Sequence, residues 1–119
     1  MKQKSILISI VFVFTFSLSY SQTDICSAKF CYTAVLDSAN NLVVNFVNQS
    51  SSTYPIVNHY WEFGDGLNDT VINPVHSYVV YANYIVNHYV FSASTCVGIF
   101  ADTIYLGTTC DSPVGLKDL

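Results

Sequence analysis

After residue 28, apolar and polar residues alternate with period two over several stretches of the chain. Successive side chains of a strand point to opposite faces, so this pattern predicts half-buried strands. The residues that carry it are the β-favouring Val, Ile, Tyr, Phe and Thr. The alternation places strands at about 29–36, 42–48, 57–63, 69–72, 84–92 and 100–106. No stretch shows the 3.6-residue period of an amphipathic helix. Turn chemistry separates the strands: Asp37-Ser38-Ala39-Asn40-Asn41, Asn48-Gln49-Ser50-Ser51-Ser52 with Pro55, Gly64-Asp65-Gly66-Leu67-Asn68-Asp69, and Asn73-Pro74. Short strands with turn signals roughly every 8–12 residues predict an all-β sandwich of two antiparallel sheets.

The same alternation assigns faces. Phe30, Tyr32, Ala34 and Leu36 share one side of the first strand, and Leu42, Val44 and Phe46 one side of the second. Trp61 and Phe63, then Tyr84, Val86, His88 and Val90, then Phe100, Ile104 and Leu106 complete the expected core. That core is modest for a small domain, which makes covalent cross-links useful.

The N-terminal stretch has a different pattern. Lys2 and Lys4 precede an unbroken apolar run from Ile6 to Leu18, and small Ser19 and Ser21 follow. This is the layout of a secretory signal over residues 1–21. The run, about 13 residues, is short of the ~20 that span a bilayer, and no later stretch is long enough. Cleavage after Ser21 leaves no membrane span and only Lys29 and Lys117 against eight acids, a net charge of −6 in place of −4. A chain of 119 residues with 10% charged and 51% hydrophobic residues is one ordered domain. Its acidic balance and lack of Arg exclude nucleic acid as a partner.

The most specific stretch is Trp61-Glu62-Phe63-Gly64-Asp65-Gly66, followed by Asn73-Pro74-Val75-His76-Ser77-Tyr78 and then by Tyr84-Ile85-Val86. In order and spacing these blocks resemble the PKD (polycystic kidney disease) domain family, whose pattern reads W-D-F-G-D-G, N-P-x-H-x-Y and G-x-Y-x-V. The resemblance covers about residues 28–106 and implies an Ig-like β-sandwich; residues 107–119, ending in Ser112-Pro113-Val114-Gly115-Leu116-Lys117-Asp118-Leu119, read as a C-terminal linker. The chain departs from the pattern at Glu62, in place of Asp, and at Ala82, in place of Gly. The motif residues also have a physical reading. Trp61 and Phe63 point inward together, Gly64 and Gly66 permit positive φ, and Asp65 accepts N–H groups of its own turn. Asn73-Pro74 interrupts pairing, and His76 and Tyr78 tie the loop to the core.

Cys26, Cys31, Cys96 and Cys110 read as two disulfides in an exported chain. Cys96 and Cys110 flank one extended strand, roughly 30 Å apart at ~3.3 Å per residue, too far to pair. The Ig-like fold implied by the resemblance brings Cys96 near the first strand, so its partner is Cys26 or Cys31 and Cys110 takes the other. His59, His76 and His88 lack zinc spacing, and His88 is expected in the core with a backbone or Tyr partner. Some PKD domains bind calcium, but no acidic cluster follows the long strand here, so Glu62 and Asp65 read as turn residues. No catalytic residue, metal ligand or cofactor is assigned. The sequons at Asn48 and Asn68, and the triplets Asp37-Ser38-Ala39, Asp69-Thr70-Val71 and Asp102-Thr103-Ile104, are weak glycosylation signals.

Outward positions carry the binding expectation. Tyr60, Tyr89, Phe91 and Tyr105 fall on the solvent face of three strands that are neighbours in an Ig-like sandwich. Tyrosines with one wet end are favoured at interfaces and stack on sugar rings, while cross-strand aromatic pairs also serve sheet stability or self-association alone. The resemblance implies a secreted or cell-surface, non-catalytic interaction module that contacts an extracellular protein or polysaccharide. The alternative is a structural spacer of a longer secreted hydrolase, protease or adhesin.

Overall fold

The computed structural model describes residues 23–111. Ten strands follow in order: β1 (Cys26–Ser27), β2 (Phe30–Leu36), β3 (Leu42–Asn48), β4 (Ser51–Ser52), β5 (Ile56–Glu62), β6 (Asn68–Asp69), β7 (Val75–Tyr78), β8 (Tyr84–Ser92), β9 (Val97–Ile104) and β10 (Gly107–Thr108). They build two four-stranded antiparallel sheets, ordered β10-β2-β3-β7 and β6-β5-β8-β9, and a small β1–β4 ribbon. The export signal expected at 1–21 and the end of the tail lie outside the described residues.

The core forms where the alternation places it. Phe30, Tyr32 and Ala34 of β2, Leu42, Val44 and Phe46 of β3, and Tyr78 of β7 meet Trp61, Phe63, Val86 and Ile104 from the other sheet. Phe30 and Phe46 each lie against Trp61, with ring centroids 5.2 and 5.3 Å from it. Leu36 and Leu106 depart from the expected core and are exposed. Leu36 ends β2, and Leu106 lies past the end of β9, where the facing sheet no longer covers them.

Three segments differ from the predicted strands. Only Asn68–Asp69 of the stretch 69–72 and its surroundings pairs, because the Asp69 carboxylate accepts the N–H groups of Thr70 and Val71 and curls the chain. The Val71 carbonyl then accepts the Trp61 indole N–H at 2.9 Å, so this bend satisfies the one polar atom of the central core residue. The stretch 75–78 is a paired strand, docked where Pro74 accepts the Phe46 N–H and Asn73 Oδ1 accepts the Asn48 N–H. β9 begins at Val97, because the tight Ser92–Cys96 turn lets pairing start at once.

The fold also continues beyond Leu106. β10 pairs with β2, and the Thr109 N–H donates to the Tyr32 carbonyl. The disulfides are Cys26–Cys96 and Cys31–Cys110, with Cα separations of 6.0 and 4.9 Å. They resolve the pairing left open by the sequence and leave no free cysteine among the described residues.

The two sheets are tied by tyrosine hydroxyls. Tyr78 on β7 donates to the Phe63 carbonyl at 2.7 Å, fully inside the protein. Burial pushes its phenol far above the usual range. Tyr78→Phe keeps the ring and orphans that carbonyl, so it is expected to cost about 1–2 kcal/mol. Urea denaturation followed by Trp61 fluorescence measures this; an unchanged midpoint would show the tie to be dispensable.

Candidate functional site

β5, β8 and β9 lie side by side, and their outward residues form cross-strand rows. Tyr60 faces Tyr89, which faces Ile99. One step along, Asn58 faces Phe91, which faces Val97. The Tyr60 and Tyr89 rings sit 5.8 Å apart. Both tyrosines and Phe91 are half-buried by their neighbours, while Val97 and Ile99 are exposed. The result is a continuous strip of aromatic and branched side chains on a face turned to solvent.

A polar row borders that strip. Asn68 of β6, Glu62 of β5 and Asn87 of β8 are register partners. Glu62 Oε1 accepts the Tyr89 hydroxyl at 2.8 Å and the Asn87 amide at 3.4 Å. The hydrogen bond to the carboxylate, with some burial, raises the Tyr89 phenol above its ordinary pKa, which keeps it a donor. Tyr60, Glu62, Asn68 and Asn87, with Gly64, Gly66 and Leu67, line an open groove of about 450 Å³. Gly64 has φ +86°, and a Cβ there would fall 2.5 Å from the Ile85 carbonyl oxygen. Only glycine lets this turn lie against β8 and line the groove.

No family model matches the chain, and no curated protein does. Solved structures do. The PKD1 domain of the Vibrio cholerae metalloprotease PrtV superposes with a TM-score of 0.58 at 25% identity, covering 69% of this chain and 96% of that one. The PKD1 domain of Vibrio anguillarum Epp superposes with a TM-score of 0.59 at 21% identity, covering 74% of this chain and 98% of that one. This chain is a PKD-like domain.

Two motif residues of the PKD-like domain, Gly64 and Gly66, also line the groove. Gly64 and Gly66 both have positive φ, and Ala82 is not among the positive-φ residues. Asp65 accepts the Leu67 N–H and lies 2.7 Å from His76 Nε2. Burial pushes the Asp65 carboxyl up, but these hydrogen bonds outweigh it and hold the group below its ordinary range. The His76 ring stacks on Phe63 at 4.1 Å, and Tyr78 stacks on Tyr84 at 3.9 Å. The motif thus ties the turn after β5 to β7 and β8.

Of the aromatic residues expected on one face, three come together and one does not. Tyr105 follows β9 at the opposite end of the sheet, six residues beyond Ile99. At ~3.3 Å per residue it stands roughly 20 Å from the Tyr60–Tyr89 pair. The polar partners Asn68 and Asn87 are the residues that sequence reasoning left out of the site. Asn87 was visible as an outward position of the long strand, but its meeting with Glu62 depends on register across two strands.

The histidines also differ from expectation. His88 is in the core, stacked on Trp61 at 3.7 Å, but its hydrogen-bond partner is His59, with Nδ1 of His59 3.1 Å from His88 Nε2. His88 Nδ1 is buried without a partner. Burial, and the neighbouring His59, push His88 down to about 4; burial lowers His59 as well. Among the described residues the one cluster of three potential metal-ligating side chains is Asp24, Cys26 and Cys96. Both of its sulfurs are bonded in the disulfide, so that cluster offers no thiolate.

Proposed function

We propose that the PKD-like domain is an extracellular, non-catalytic contact module, and that its contact surface is the outer face of the β5–β8–β9 sheet. The observation that carries this reading is the strip Tyr60–Tyr89–Ile99 with Phe91–Val97, an aromatic and aliphatic surface turned to solvent on a rigid sheet. Two disulfides suit an oxidising compartment outside the cytosol. The similar domain of PrtV belongs to a metalloprotease, which supports a modular role beside another activity. The partner is an extracellular protein or polysaccharide, as the face is neither basic nor catalytic in composition.

Tyr60→Ala, Phe91→Ala and Ile99→Ser test the reading together. Each leaves the core untouched, so near-ultraviolet circular dichroism is expected to be unchanged. Retention on immobilised cell-envelope protein and polysaccharide is expected to fall about tenfold or more for the triple variant. Retention equal to that of the parent would move the contact surface to the loops. No retention of the parent would favour the spacer reading.

A further inference from the structure

The groove beside the strip has a composition that the strip alone does not explain. Its floor is an amide–carboxylate–amide row, Asn68–Glu62–Asn87, spaced by strand register rather than by chance rotamers. Neighbouring strands stand ~4.8 Å apart, so the three polar heads form a regular ladder of alternating donor and acceptor capacity. Tyr89 and Asn87 hold Glu62 Oε1 in place. Tyr60 lines the groove, and its ring is tilted by 50° against that of Tyr89. Gly66 has no atom within 4 Å of a Cβ position, so the mouth beside it is unobstructed.

A carboxylate accepts from two hydroxyls, side-chain amides donate and accept, and an aromatic wall covers C–H faces. Together they match a pyranose, whose vicinal hydroxyls edge an apolar ring face. Charge narrows the class further. Among the described residues that line the groove, Glu62 and Tyr60 are the ionisable ones. Among the described residues Lys29 is the single Lys or Arg, against seven acids. An anionic sugar would meet a negative field with no cation to answer it.

From this geometry we propose that the Asn68–Glu62–Asn87 row and Tyr60 form a binding site for a neutral saccharide, a ligand class that rests on, and sharpens, the contact-face reading above. The Glu62 carboxylate accepts a vicinal hydroxyl pair, the two asparagines bracket it, and Tyr60 covers one sugar face. Tyr89 is a positioning residue that holds Glu62.

The test is calorimetric titration of the oxidised protein with neutral hexasaccharides of β-1,4-glucose, β-1,4-N-acetylglucosamine and α-mannose, and with an anionic galacturonate hexamer. At least one neutral hexamer is expected to bind, and the galacturonate hexamer is not. Glu62→Gln, which keeps the shape of the side chain, is expected to weaken binding about tenfold or more, as loss of a charged hydrogen-bond acceptor does. Asn68→Ala, on the exposed rim strand, is expected to weaken it too and serves if Glu62→Gln does not fold. Val75→Ala, exposed on the other sheet and outside the contact face, is expected to leave saccharide affinity unchanged. Absence of binding by every neutral hexamer, tighter binding of galacturonate, or equal affinity in Glu62→Gln and Asn68→Ala would each overturn the proposal. Affinity that follows Phe91→Ala but not the groove variants would overturn the groove while leaving the contact face standing.

Discussion

Removal of both disulfides is expected to leave this protein unfolded at 37 °C. The bridges join residues 70 and 79 positions apart. Closing loops of that length removes a large amount of freedom from the unfolded chain, and each bridge is expected to contribute about 4 kcal/mol. A domain of this size has a total stability of about 5–15 kcal/mol, so losing both removes most or all of it. The bridges also have separate local roles. Cys31–Cys110 holds the β10 segment along β2, while Cys26–Cys96 holds the β1 ribbon to the β8–β9 turn. Cys31→Ser with Cys110→Ser is therefore expected to release β10 first. Trp61 is the only tryptophan and is fully buried, so its fluorescence reports the transition directly. Denaturation curves with and without reductant measure the effect. A reduced protein with the midpoint of the oxidised one would show that the sandwich core suffices by itself.

The second large effect is a loss of stability in acid that comes from His88. This histidine is inside the core between Trp61 and His59, with Phe30 packing from the other sheet at 6.1 Å. It takes a proton near 6.5 when the chain is unfolded but near 4 in the fold. The unfolded state therefore binds more protons throughout that window, and stability falls as pH falls. It is fully present above pH 6.5, declines between 6.5 and 4, and is flat below. At 1.36 kcal/mol per unit the shift corresponds to about 3 kcal/mol. His59, lowered in the same direction, adds to the slope. His88→Leu removes the titrating group and the unpartnered Nδ1, and fills the space with apolar atoms. The variant is expected to match or exceed the parent at pH 7 and to lose much less stability by pH 4.5. Urea midpoints at both pH values measure it. An equal loss in parent and variant would place the acid sensitivity on the carboxylates instead, of which Asp24 and Asp65 are held low by hydrogen bonds.

The inward face of each long strand was legible in the alternation, down to His88 and to the Trp61–Phe63 pair, because one buried face fixes strand register. Strands of two residues were not legible, since β1, β4, β6 and β10 are too short to carry a period. β7 was hidden by Pro74, whose missing N–H suggested a break but whose carbonyl instead starts the pairing with β3. The aromatic strip was partly legible, as Tyr60, Tyr89 and Phe91 follow from parity alone. Tyr105 shares their parity but not their neighbourhood, because parity says nothing about distance along a strand. The Asn68–Glu62–Asn87 row and the His59–His88 contact each need the register between strands, which no single segment encodes.

The most direct test of the contact face is amide hydrogen exchange of the oxidised protein, free and bound to cell-envelope protein and polysaccharide. Added protection is expected along Asn58–Glu62, Asn87–Phe91 and Val97–Ala101, with the β2–β3–β7 sheet unchanged. Protection confined to that second sheet or to the Val79–Tyr81 loop, with the first three segments unaltered, would contradict it.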